Sequence, residues 1–172
     1  MIISSNISFG QDTSKSEKGF GLVNIGIGGG SEGISTGINA SYQNNNSIIS
    51  IRYIYNEEFI VLFSSHKYKI RDLGILYGLS VKKPKGFASI SAGISYVGYN
   101  GRGSVISCSG NWLLSSCTYE ELNYSTIGIP IETQLFLTRK RVGIGIYGFA
   151  NLNKVNSFTG ALLCMHIVIW NN

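Results

Sequence analysis

Residues 88–96 read ASISAGISY, so that every second side chain from Ala88 to Tyr96 is apolar and the ones between are serine or glycine. Successive side chains of an extended strand point to opposite faces. A strict period of two therefore predicts a β-strand with different environments on its two faces. This stretch decides the fold because the same period recurs along most of the chain.

The alternation predicts about eight strands and an all-β fold, a closed up-and-down antiparallel barrel. The strands are predicted near residues 22–28, 34–43, 49–55, 72–80, 88–96, 127–135, 142–147 and 157–170. The last is fairly apolar on both faces, so its assignment rests on length and position. Pro130 lies inside the sixth strand and removes a ladder hydrogen bond, so we expect a β-bulge there.

Composition indicates which face of these strands meets which environment. Only 13% of residues are charged, about half the share usual in a soluble globular protein. The faces rich in glycine, serine and asparagine are too small and too weakly charged for a water-facing surface, but they suit a narrow lumen. Bands of isoleucine, valine, leucine and tyrosine suit lipid. We therefore expect a transmembrane barrel whose aliphatic side chains point outward.

The connections and the chain start fit this interpretation. Short turns are expected at residues 44–46, 82–86 and 138–141, and longer loops near residues 56–69 and 100–123. Outer-membrane barrels have short periplasmic turns and longer external loops. Residues 1–18 are polar and without periodicity, so we expect a flexible leader before a barrel domain at 19–172. No signal peptide is evident at Met1, and we expect that one has been removed.

Several short motifs resemble a known class of protein. They are SIRY at residues 50–53, LGILYG at 73–78, ISAGISYV at 90–97 and IGIPIE at 127–132. They look like small outer-membrane β-barrel proteins of Bacteroidota-type bacteria, whose architecture is like that of OmpX and OmpA. The resemblance covers roughly residues 47–170. It implies location and fold, with no catalytic residues to carry over.

Two cysteines lie in the longest predicted loop. Cys108 and Cys117 flank residues 109–116, and in an exported protein such a pair is expected to form a disulfide. The bond would stabilise the closed loop by roughly 2–3 kcal/mol relative to its open form. The alternative is a pair of free thiols. The enclosed residues Trp112, Leu113 and Leu114 form an apolar tip that either packs over the barrel mouth or contacts a partner.

Four ionisable residues fall on the faces that should line the lumen: Arg52, Asp72, Glu132 and His166. Unpaired charge in a narrow lumen is expensive, so these groups should bond to one another or to water. We expect a polar network that plugs the lumen, with a proton or ion path as the functional alternative.

Other motifs do not carry chemistry on sequence grounds. Residues 143–148 match G-x-G-x-x-G, but no helix start follows, as a dinucleotide site requires. His66 beside Ser64 and Ser65 lacks an orienting third group. Scattered histidines and cysteines lack metal-ligand spacing. The net charge is +5, but the basic residues cluster in short turns and no groove-reading motif is present. Both observations argue against nucleic-acid binding.

The sequence therefore favours a non-enzymatic protein of the bacterial outer membrane, without a cofactor, acting in structure or in surface interaction through its longer loops. Its expected partners are outer-membrane lipid and another surface or envelope protein. Two alternatives stay open. A lipid-modifying enzyme requires Ser and His side chains that converge at the rim. A soluble carrier of an apolar ligand requires the isoleucines inside and Arg52 and Glu132 outside.

Overall fold

A computed structural model describes residues 19–58, 69–83, 85–111, 114–139 and 141–171. The predicted leader at residues 1–18 lies outside them. The described residues form eight β-strands. They are β1 Phe20–Gly30, β2 Gly33–Asn44, β3 Ser47–Glu57, β4 Lys69–Lys83, β5 Gly86–Asn111, β6 Leu114–Arg139, β7 Val142–Asn153 and β8 Phe158–Asn171. Within this part of the chain, no helix is long and apolar enough to cross a bilayer.

The strands pair in chain order, all antiparallel, and β8 returns to β1 to close a barrel. The closing seam runs from Phe20 opposite Asn171 to Gly30 opposite Gly160, with a register shift between Gly21 and Leu22. The predicted closed up-and-down antiparallel barrel is therefore confirmed. Pairing every neighbour in a ring leaves the barrel without an edge strand, which is the condition for placing a sheet in hydrocarbon.

The two ends of the barrel differ in their connections. One end, here called the turn end, carries the first residue of β1, the last of β8 and the connections at residues 45–46, 84–85 and 140–141. The other, here called the loop end, carries the connections at 31–32, 58–68, 112–113 and 154–157. The three short turns predicted from sequence all lie at the turn end. Asn45 adopts a φ of 52° there, a left-handed conformation that asparagine tolerates in tight turns.

The aliphatic side chains point outward, as predicted. Ile90, Ile129 and Ile144 expose 57%, 56% and 59% of their surface. Arg52 and Glu132, by contrast, are almost fully buried inside the barrel. A soluble carrier would have the opposite arrangement, so the choice of sides made from the strand pattern is confirmed.

The predicted bulge at Pro130 is wrong. Pairing of β5 with β6 stops after Ala92 opposite Ile131 and resumes at Ser95 opposite Gly128 with the same offset. Pairing with β7 runs through Pro130 opposite Asn151 without a shift. Proline removes a donor, but its neighbours on both sides hold the strand in register. The ladder is interrupted without an inserted residue.

The long loop predicted near residues 100–123 is also wrong, because β5 and β6 continue through it as a hairpin. The last pairing of β5 with β4 is Asn100 opposite Lys69, whereas pairing with β6 continues to Asn111 opposite Leu114. We call residues 101–111 and 114–122 the ribbon. The barrel wall is the part of the sheet in which every strand has a neighbour on both sides. At about 3.3 Å per residue, the ribbon extends on the order of 35 Å beyond the wall.

Inside the barrel, apolar side chains lie at both ends of a polar centre. Phe20, Phe87 and Phe136 pack in sequence at the turn end, with ring centroids 5.9 and 6.4 Å apart. Phe149 and Phe158 pack 6.3 Å apart near the loop end. The alternation predicted a lumen of small polar residues and missed these aromatic layers.

Candidate functional site

The centre of the lumen holds a buried ion pair. Arg52 Nη2 lies 2.7 Å from Asp72 Oδ2, and both side chains are fully buried. The guanidinium also donates to the carbonyl oxygens of Ile131 and Ala150, each at 3.0 Å. Asn151 donates to the second carboxylate oxygen of Asp72 at 3.1 Å. The guanidinium thus ties β3 to β4, β6 and β7 across the barrel.

Glu132 is held by neutral donors. Ser50 and Gln134 donate to Oε1 at 2.6 and 3.0 Å, and Asn39 donates to Oε2 at 3.2 Å. The Tyr147 hydroxyl donates to the same Oε2. Hydrogen bonds to an ionised acceptor are among the stronger ones in proteins. This arrangement can stabilise a buried carboxylate without a cation.

His166 lies apart from these groups, toward the turn end. Its Nε2 is 2.9 Å from Thr138 Oγ1, and its ring packs 4.6 Å from that of Phe136. Its Nδ1 has no hydrogen-bond partner among the described protein atoms. The four ionisable residues singled out from sequence therefore all lie in the lumen, but only Arg52 and Asp72 contact each other through charge.

The glycine string at residues 143–148 lies wholly within β7. A Cβ added at Gly143 would collide with the His166 ring, and one added at Gly145 would collide with the Phe136 ring. These glycines leave room for large lumen side chains on neighbouring strands. The string therefore serves packing, and no helix follows it.

The ribbon brings the two loop cysteines opposite each other. Cys108 and Cys117 are direct Cα partners across the hairpin. Trp112 and Leu113 lie outside the described residues, and Leu114 is the first residue of β6. Ser64, Ser65 and His66 also lie outside them. In the described part of the chain, no group of three or more His, Cys, Asp or Glu residues could hold a metal ion.

Sequence reasoning missed the network residues that carry no charge. Asn39, Ser50, Gln134 and Tyr147 surround Glu132, yet they lie on four different strands. The alternation predicts that these side chains point inward, because each lies on the face of its strand opposite the aliphatic residues. Their convergence depends on the register between strands, which no single strand encodes.

Comparison with known proteins gives likeness of fold. No protein-family model and no curated protein sequence matches the chain. The structure of Neisserial surface protein A is similar at a TM-score of 0.57 and 14% identity, covering 90% of this chain and 98% of that one. The N-terminal β-barrel domain of Pseudomonas aeruginosa OprF gives 0.58 and 9%, covering 90% and 100%.

A major outer-membrane protein from Thermus thermophilus gives a TM-score of 0.61 at 7% identity, covering 88% of this chain and 99% of that one. These likenesses span nearly the full length of each neighbour. The closed ring of eight antiparallel strands agrees with them. The fold of this chain is therefore that of the small outer-membrane β-barrel proteins.

Proposed function

We propose that this chain is a non-enzymatic β-barrel of a bacterial outer membrane whose ribbon contacts another surface or envelope protein. One observation carries the proposal: β5 and β6 pair with each other far beyond their last contacts with β4 and β7. The barrel anchors the chain, and the ribbon presents a two-stranded surface outside it.

The outer face supports the membrane location. Its exposed aliphatic side chains form a continuous band around the wall, among them Ile25, Ile51, Ile75, Ile94 and Leu163. Monomeric soluble proteins rarely expose contiguous apolar patches larger than a few hundred Å². A barrel with buried charge and an apolar exterior is suited to hydrocarbon.

The ribbon has the geometry for strand addition. Beyond Asn100, the only described strand that pairs with β5 is β6, so each ribbon strand has one backbone edge without a sheet neighbour. Such an edge can accept an extended segment of a partner through main-chain hydrogen bonds. Exposed Ile106 and Tyr124 lie in and beside the ribbon and can add side-chain contacts.

Two finer points belong to this proposal. We propose that Cys108 and Cys117 form a disulfide across the ribbon, because direct cross-strand partners place two Cα atoms within disulfide reach. The Bacteroidota-type origin rests on the sequence motifs at residues 50–132 alone.

The lumen argues against the two alternative functions and against conduction. Thr138 and His166 are a hydroxyl–imidazole pair, but they lie inside the barrel, and no described carboxylate orients the ring. A nucleophile needs an oriented base and access to substrate. Buried polar and charged side chains occupy the centre, among them Arg52, Glu132 and Tyr147, and this lining does not suit an apolar ligand. In planar bilayers we expect no steady conductance.

Intact-cell labelling tests the orientation. In a background in which Cys108, Cys117 and Cys164 are replaced by serine, Ser104→Cys in the ribbon should react with a membrane-impermeant maleimide on whole cells. Lys85→Cys at the turn end should react only after permeabilisation. Equal labelling of both positions on intact cells would contradict the proposed orientation.

A ribbon-shortened variant tests the role. Asn100 is joined to Asn123 by a two-residue turn, which removes the ribbon and leaves the wall. The shortened barrel should keep its heat-modifiable band on electrophoresis, while cells that express it lose binding to neighbouring cells and to immobilised envelope protein. Unchanged binding by a folded shortened barrel would overturn the proposed contact surface.

A further inference from the structure

The turn end carries a groove on the outer surface that ends at a basic cluster. Its floor is made by Gly86 and Ala88, the only small residues in two cross-strand rows that follow each other on the outer face. One row is Lys83, Gly86 and Leu137, and the other is Val81, Ala88 and Leu135. The groove encloses about 320 Å³, and apart from Lys83 its lining is apolar or glycine.

The groove lies at the edge of the lipid-facing band. Val81 and Leu137 form its two walls and expose 57% and 70% of their surface. The outward face of β5 continues from Ala88 to Ile90, so the groove opens toward the middle of the band. An apolar chain lying over Gly86 and Ala88 would thus run from the barrel end into the hydrocarbon.

Basic residues surround the mouth of the groove. Lys83 and Arg139 continue the outward-facing columns of β4 and β6, one on each side, and Lys85 lies in the turn between β4 and β5. The backbone N–H of Thr138 donates to the Lys85 carbonyl oxygen at 3.2 Å, which joins this turn to the end of β6. Arg141 follows in the next turn.

Among the described residues, the side-chain charge at the turn end is basic. In the described part of the chain, no Asp or Glu lies within four residues of a strand terminus at the turn end. The loop end differs, because Glu32, Glu57 and Glu121 accompany Lys69 and Arg71 there. Basic residues near a bilayer surface attract anionic headgroups, each contributing a roughly fivefold factor in affinity.

We propose that this groove binds one anionic phospholipid, with an acyl chain over Gly86 and Ala88 and the phosphate among Lys83, Lys85 and Arg139. A ligand here must be apolar along one part and negatively charged at one end. An anionic phospholipid meets both conditions, whereas a soluble polyanion leaves the groove empty. The inference rests on the membrane location proposed above, not on the role of the ribbon.

Lipid retention in native mass spectrometry tests the site. Full-length protein folded in a neutral detergent is titrated with dioleoyl phosphatidylglycerol, with dioleoyl phosphatidylcholine of the same acyl chains, and with soluble glycerol phosphate. One phosphatidylglycerol should be retained at least about tenfold more tightly than phosphatidylcholine. Glycerol phosphate should not compete. Equal retention of the two lipids, or displacement by glycerol phosphate, would overturn the proposal.

Three variants locate the bound lipid. The triple variant Lys83→Gln, Lys85→Gln, Arg139→Gln should lose the preference for phosphatidylglycerol. The matched triple Lys69→Gln, Arg71→Gln, Lys154→Gln removes as much charge at the loop end and should keep it. Ala88→Leu fills the groove without changing charge, and it should weaken retention of phosphatidylglycerol.

The outcomes separate this inference from the membrane location itself. If the chain folded in plain buffer and retained neither lipid, the proposed location would fail together with the site. If it needed detergent but the two triple variants behaved alike, only the site would fail. Should the first triple not fold, Ala88→Leu decides alone, because undiminished retention by that variant excludes the groove.

Discussion

The two parts of the β5–β6 hairpin place one pair of strands in two environments. Within the wall, both strands have neighbours on each side, an apolar outer face and a packed inner face. In the ribbon, the same strands pair only with each other among the described residues. The difference shows that backbone pairing with one neighbour is enough to continue a strand. The alternation of apolar and polar side chains instead indicates whether the two faces of the strand lie in different environments.

The largest effect should come from the buried ion pair in the wall. Arg52→Leu leaves Asp72 buried without its cation, so the free energy of unfolding should fall by about 3–5 kcal/mol. Urea unfolding in phospholipid vesicles measures it. Arg71→Leu, at an exposed position, should change stability by less than about 0.5 kcal/mol. Replacing Arg52 and Asp72 together by leucine should recover much of the loss, and a double variant as unstable as the single one would contradict this account.

A matched pair on β5 sharpens the comparison of environments. Ile94 in the wall and Ile106 in the ribbon expose 61% and 66% of their surface, so exposure alone does not distinguish them. Ile94→Arg should cost about 2–4 kcal/mol because the side chain faces hydrocarbon near the middle of the wall. Ile106→Arg should cost less than about 0.5 kcal/mol. Equal small costs in vesicles would contradict the membrane interpretation.

A smaller difference in stability is expected between a buried and an exposed glutamate on β6. Glu132→Gln keeps the shape but turns an acceptor oxygen into a donor that faces other donors, so it should cost about 1–3 kcal/mol. The same change at exposed Glu121, opposite Arg102 in the ribbon, should be nearly neutral. Unfolding in vesicles measures both. A neutral Glu132→Gln would mean that the surrounding hydroxyls and amides reorient freely.

The smallest effect on the barrel should come from the cysteines. Cys108→Ser removes the proposed cross-link within the ribbon, so global unfolding in vesicles should change by less than about 0.5 kcal/mol, while protease cleavage of the ribbon becomes faster. Thiol alkylation without reductant, followed by intact mass, reports the bond in the wild-type chain. Two alkylated ribbon thiols in freshly exported protein would exclude it.

The period of two predicted the wall because a barrel wall in a membrane separates two environments along every strand. Residues 88–96 and 142–147 are strands in the structure with the orientation expected. The ribbon was missed for the same reason, since both of its faces can meet water and its residues need not alternate. The glycines and serines in that stretch looked like a loop, although they form a hairpin.

The candidate sites were predictable in part. The alternation along each strand predicted correctly that four ionisable side chains point into the lumen: Arg52, Asp72, Glu132 and His166. The pairing of Arg52 with Asp72 needed the register of β3 and β4, in which Asp72 stands opposite Ile54 rather than opposite Arg52. The groove proposed to bind lipid needed three strands aligned side by side. Gly86 and Ala88 form the floor of a groove only because the larger side chains of Val81 and Leu137 lie beside them on the neighbouring strands.

The seam between β1 and β8 has a consequence for how the chain can fail. It joins the first and last strands, so removing either one would open the ring and leave two unpaired strand edges facing lipid. A copy lacking one of these strands would therefore be a template for intermolecular pairing, able to bind the matching strand of a second copy. An intact seam is what lets a single chain pair all of the strand edges in its barrel wall.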